Sequence, residues 1–120
     1  MLKRFKLPIY GAHIWFVLDS DLNKARKKLD RYFGKDSENC NNFDGMVVYE
    51  GNKFALLLTL KPSVNTISHE IEHLTQEIAA QYDFDYSAEY GEPKAYLNGY
   101  LTEMFYDFLN KNKKGLDIAI

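Results

Sequence analysis

The stretch "MVVYEGNKFALLLTL", from Met46 to Leu60, predicts a β-hairpin. Two apolar runs flank Gly51-Asn52, and this dipeptide suits the tight turn between two antiparallel strands. The second run is apolar throughout. We therefore expect it to form a strand at the centre of a sheet or one covered on both faces.

The chain before the hairpin predicts one strand and one helix. "AHIWFVLD", from Ala12 to Asp19, is short and rich in aromatic and β-branched residues, which is typical of a buried strand. Ser20 is then the expected N-cap of a helix, and Gly34 its stop. The predicted buried stripe of this helix is Leu22, Ala25, Leu29 and Tyr32 or Phe33.

The chain after the hairpin predicts two more helices. The first runs from Ser63 or Thr66 to about Tyr82, with helical spacing of its apolar residues. The second begins at Glu92, where the following proline is tolerated in a first helical turn, and ends near Asn110. The element order is therefore β-α-β-β-α-α. We expect an α+β fold in which three helices pack on a small, mostly antiparallel sheet of about three strands.

The composition suits one domain spanning residues 1–120. Hydrophobic residues make up 46% of the chain, enough for a modest core, and the net charge is −2. A basic excess lies largely between Lys24 and Arg31 and indicates either a surface for nucleic acid or an acidic partner, or the solvated face of a helix. Cys40 is the only cysteine, which permits a reducing compartment. The basic start of the chain lacks a small-x-small cleavage site, and no apolar run reaches the length of a membrane span, so we expect a cytoplasmic protein.

A candidate zinc site lies in "TISHEIEHLTQEI", from Thr66 to Ile78. At 100° per residue, one narrow apolar stripe of the helix packs on the sheet, and His69 and His73 lie on roughly the opposite side. Histidines at i and i+4 project in parallel, so that two imidazole nitrogens reach one ion at about 2.0–2.1 Å. Glu70 lies beside the histidine face, which completes an H-E-x-x-H arrangement with a glutamate placed as general base. The alternative is a solvent-facing helix whose histidines bind nothing.

A third ligand is expected to come from a carboxylate further along the chain. Catalytic zinc sites usually take three protein ligands and leave one position for water. Glu92 begins the next helix, where the helix dipole favours the ionised form that a metal requires. Glu89, three residues earlier, is the competing candidate.

The segments "SHEIEHLTQEI" and "EYGEPKAYLNGYLTEMFYDFL" together resemble gluzincins, zinc metallopeptidases in which a glutamate ligand follows the H-E-x-x-H helix on a second helix. Within that family the chain looks most like small H-E-x-x-H proteins of tailed bacteriophages. The resemblance implies a minimal zincin-like domain, zinc as the cofactor, His69, His73 and Glu92 as its ligands, and Glu70 as general base. It also implies that an edge strand before the active helix cradles an extended substrate. Glu72 and Thr75 stand where catalytic members usually carry an uncharged and an apolar residue.

Two functions follow from this resemblance. The first is a zinc-dependent metallopeptidase acting on a protein or peptide. In it, Tyr96, which shares a helix face with Glu92, is a candidate for supporting a ligand or for binding the oxyanion; aromatic core packing is the alternative for this tyrosine. The second function is a catalytically silent zincin-like module of a phage virion, or one that contacts a host protein. We expect neither a membrane nor nucleic acid as a partner.

Overall fold

The computed structural model describes residues 1–8, 10–34, 44–82 and 92–112, with Glu92 described by its backbone alone. Cys40, Glu89, the tail from residue 113 and most of the two loops before Gly45 and Glu92 lie outside the described residues. The elements are β1 (Leu2–Lys6), β2 (His13–Leu18), α1 (Leu22–Phe33), β3 (Gly45–Glu50), β4 (Lys53–Leu58), α2 (Val64–Gln81) and α3 (Glu92–Lys111).

The α+β class, the hairpin and the three helices are confirmed, and the described residues form a four-stranded mixed sheet in the order β1-β2-β4-β3. Strand β1 pairs antiparallel with β2, β2 runs parallel to β4, and β4 pairs antiparallel with β3. The sequence did not predict β1, whose "LKRFK" carries three basic residues at the sheet edge. Tertiary contact supports this strand, since the Arg4 guanidinium lies 4.9 Å from the Trp15 ring centre.

Strand β4 is the central element of the core, as its continuous apolar run predicts. Residues Phe54 to Leu58 are fully buried, because successive side chains of a strand point to opposite faces and both faces are covered. Helix α1 covers one face, and α2 and α3 cover the other. The hairpin thereby places β3 at one edge of the sheet, next to α2.

Side-chain caps fix where the helices begin. Helix α1 is capped by Asp21 and not by Ser20, because the Asp21 carboxylate accepts a hydrogen bond from the Lys24 N–H at 3.1 Å. For α2, the Ser63 hydroxyl accepts from the Thr66 N–H at 3.1 Å, which selects the earlier of the two predicted starts. Gly34 ends α1 in the left-handed conformation, as predicted.

No helix within the described parts of the chain is long and apolar enough to cross a lipid bilayer.

Candidate metal centre

Helix α2 presents its two histidines away from the core. The apolar stripe predicted for this helix is buried against the sheet and α3, and it comprises Ile67, Ile71, Leu74 and Ile78. His69 and His73 lie one turn apart on the exposed side, and 65% of the His69 side chain is open to solvent. The packed helix therefore fixes the relative positions of the two Cα atoms, and both rings remain accessible to an ion.

The two imidazoles converge on a common point. His69 Nε2 and His73 Nε2 are 3.1 Å apart, while the ring centres are 4.6 Å apart and the rings are nearly perpendicular. Two nitrogens bound at 2.0–2.1 Å to one tetrahedral zinc ion lie about 3.3–3.4 Å apart. The observed separation is shorter by about 0.2–0.3 Å, a difference that a small rotation of either exposed ring would remove. In the absence of an ion, it is also the length of an N–H···N hydrogen bond in which one ring donates and the other accepts.

Glu70 is buried beside this pair. Only 8% of the residue is exposed, and its Oε1 lies 3.8 Å from His69 Nε2. Burial raises the pKa of the Glu70 carboxyl, and the neighbouring His69 and His73 lower it by smaller amounts. A carboxylate whose pKa is raised in this way is better suited to exchange a proton near neutral pH than an exposed glutamate is.

A glycine allows β3 to lie directly against Glu70. A methyl group added at Gly45 would be 2.9 Å from Glu70 Cγ and 2.4 Å from Leu58 Cδ2. Real Cβ atoms essentially never make contacts this short, so Gly45 permits a close approach that other residues would prevent. The strand and the histidine helix then enclose a groove of about 370 Å³.

The edge of β3 that faces the groove carries backbone groups without a strand partner among the described residues. The Asp44 carbonyl accepts a hydrogen bond from the Thr59 N–H at 3.0 Å. This bond shows which residues of β3 form hydrogen-bonded pairs with β4, since such pairs alternate with non-hydrogen-bonded pairs along an antiparallel ladder. Gly45, Val47 and Tyr49 consequently direct their N–H and C=O groups away from β4. The resemblance implied an edge strand directly before the active helix, but that strand, β4, is central, and β3 supplies the edge.

Glu72 and Thr75, the two residues that depart from the gluzincin pattern, connect α2 to α3. Glu72 pairs with Lys94 at 2.6 Å and accepts a hydrogen bond from Asn98 at 2.9 Å. Burial raises the pKa of Glu72, but Lys94 and the hydrogen bonds outweigh this and lower it overall. Thr75 is fully buried; its hydroxyl donates to the Ile71 carbonyl at 2.8 Å and accepts a hydrogen bond from the Asn98 side-chain amide of α3 at 3.4 Å. These contacts hold the first two turns of α3 against the middle of α2.

The remaining predicted site residues occupy different places. Glu92 begins α3, two residues before Lys94 and its contact with α2, while its side chain lies outside the described residues. Tyr96 is 75% exposed and lines an apolar cavity with Leu7 and Tyr10, so the described residues do not bring it to the histidines. Within the described parts of the chain, no third His, Cys, Asp or Glu joins the imidazole pair in a metal-binding cluster.

Three further groove residues were not identified from the sequence. Tyr49 on β3 donates a hydrogen bond to Glu77, whose charge, together with burial, raises the pKa of the tyrosine. Arg26 reaches the groove from α1, on the other face of the sheet. Glu77 follows His73 by four residues, so helical spacing could have identified it. Tyr49 and Arg26 carry no such signal because only the folded sheet brings them close.

Comparison of the chain with protein-family models, curated proteins and solved structures finds no match.

Replacing Gly45 by alanine should destabilise the protein and disturb the site. The added methyl group would overlap Leu58 and Glu70, and relieving overlaps of this kind in packed regions costs about 1–3 kcal/mol. Urea unfolding of both proteins would measure the loss. Gly99→Ala is the matched control, because Gly99 is exposed in α3 with open space around its Cβ position, so this change should be neutral or stabilising. Equal stability of the Gly45→Ala variant and the wild type would show that the strand does not need this glycine.

Proposed function

We propose that this protein is a zinc-dependent peptidase that cleaves an extended peptide lying along β3. One observation carries the proposal: two histidine nitrogens converge at 3.1 Å beside a buried glutamate, next to the edge strand of the described sheet. Histidines that merely lie on an exposed helix face would not require these three features to occur together.

The residues of the site fit a zinc ion. His69 and His73 supply two neutral nitrogen ligands at compatible spacing. Glu92 is proposed as the third ligand, because it begins the helix whose first two turns Glu72 and Thr75 hold against α2. When bound, zinc polarises a carbonyl group and lowers the pKa of a water molecule toward 7.

Glu70 is proposed to move the proton. Its carboxylate accepts a proton from the attacking water and then returns it to the departing amine, which is most efficient when the pKa of the carboxyl group lies near the working pH. Burial raises its pKa in the required direction. Gly45 packs against the aliphatic part of the side chain, which limits where the carboxylate can lie.

The substrate is proposed to add a strand to the sheet. Gly45 and Val47 direct backbone groups outward, where an extended peptide can hydrogen-bond to them. Because these bonds form with any sequence, they position the peptide backbone next to the histidines without demanding particular side chains.

A silent interaction module is the second candidate, and one observation favours it. Tyr96 and Tyr100 are exposed beside an apolar cavity of about 490 Å³ on a different part of the surface from the histidines. Exposed aromatic residues next to such a cavity are typical of protein-binding surfaces. In this function the fold and its metal would remain and turnover would be absent.

Incubation of the purified, zinc-loaded protein with a broad peptide library distinguishes the two functions. Mass spectrometry should detect new peptide termini that disappear when a chelator removes zinc and return when zinc is restored. Comparison with library incubated alone identifies spontaneous breakdown. Absence of cleavage by zinc-loaded protein across the library would refute the peptidase and favour the module.

A further inference from the structure

The groove beside the histidines has opposite charge on its two sides. Glu70 and Glu77 line the groove from the α2 side, and Arg26 lines it from the α1 side. Arg26 is half-buried, and its helix carries further positive charge at Lys24, Lys27, Lys28 and Arg31. The groove thus lies over the edge of the sheet, with acidic residues on its α2 side and a basic residue on its α1 side.

The pleat of β3 determines which substrate side chains face α1 and which face α2. Val47 packs with the core on the α2 face, whereas Met46 and Val48 pack with the core on the α1 face. A peptide paired with the free edge of β3 continues this alternation, because directly opposed residues in a sheet point to the same face. Every second side chain of the peptide therefore points toward α1.

We propose that Arg26 is a specificity-determining residue that selects acidic side chains at those alternate positions of the substrate. This inference rests on the proposed function and adds a substrate class to it. The substrates are extended peptides with Asp or Glu at the positions whose side chains face α1. The positive field of α1 complements such peptides. The planar guanidinium group of an arginine also matches the geometry of a carboxylate.

The Glu70→Gln variant with added zinc chloride allows binding to be measured without cleavage. Fluorescein-labelled nine-residue peptides would carry threonine or valine at every second position and either glutamate or lysine at the positions between them. Fluorescence anisotropy should show the glutamate peptide binding at least about 10-fold more tightly than the lysine peptide, with a smaller difference at high salt.

Charge reversal tests the residue itself. Adding Arg26→Glu should reverse the preference in favour of the lysine peptide, and Arg26→Gln should abolish it without reversal. Lys24→Glu is the matched control, because it makes the same charge change on α1 but does not line the groove, so it should keep the preference for glutamate. Circular dichroism confirms that each variant is folded. Equal binding of the two peptides, or a glutamate preference that survives Arg26→Glu, would overturn the inference.

The peptidase and its specificity can fail separately. Zinc-dependent cleavage of the library without acidic residues at a fixed distance from the cut would leave the peptidase intact and refute the role of Arg26. Acid-selective binding that depends on Arg26, without cleavage by the wild type, would support the groove assignment and refute the peptidase.

Discussion

The Glu70→Gln variant should bind zinc and fold normally but lose peptide cleavage by roughly 10²-fold or more. Glutamine has the shape of glutamate but cannot accept the proton of water, so only the proton transfer is lost. The measurement is the rate of appearance of the most abundant library cleavage product. Zinc content and thermal unfolding are measured on the same samples.

The stability of this variant separates catalysis from structure. Burial raises the pKa of Glu70 in the folded protein, so the ionised carboxylate opposes folding as pH rises through the unfolded-state value toward neutrality. Neutral glutamine removes this cost, and zinc-free Glu70→Gln should unfold at an equal or higher temperature than the wild type. The control is Glu103→Gln, an exposed change on α3 that should keep full activity. Retained cleavage by Glu70→Gln would exclude Glu70 as the general base.

Removing the two histidines should abolish zinc binding. Wild-type protein is expected to contain about one zinc ion per chain, and the double variant His69→Ala, His73→Ala close to none, because two of three proposed ligands are gone. Both side chains are exposed on a helix that alanine suits, so the fold should persist. Elemental analysis after dialysis gives the zinc content. His13→Ala is the matched control, since His13 lies on β2 beside Trp15, outside the groove, and should leave zinc unchanged. Equal zinc in the wild type and the double variant would refute the site.

Zinc content also distinguishes the two candidates for the third ligand, Glu92 and Glu89. Changes to groups that merely support a ligand typically weaken metal binding by about 10–100-fold, and loss of a direct ligand should exceed that. Glu92→Gln should therefore weaken zinc binding strongly, while Glu89→Gln should leave it nearly intact. The opposite ranking would assign the third ligand to the chain before α3.

Much of the fold could be predicted because local patterns agreed with tertiary packing. The Gly51-Asn52 turn, the buried β4 and the apolar stripe of α2 each follow from a spacing that the final core uses. Strand β1 was missed because three of its five residues are basic. Its place at the sheet edge lets those side chains reach solvent or lie over aromatic rings, which no local pattern indicates.

The sequence by itself determined that His69 and His73 lie one turn apart, away from the core, with Glu70 next to them, because helical periodicity fixes these directions. Only the tertiary structure decided that β3 is an edge strand of the described sheet, that Gly45 lies against Glu70, and that Tyr49 and Arg26 share the groove with the histidines. The physical reason is that helix geometry is local, whereas strand order and the faces that helices cover depend on which distant apolar surfaces bury one another.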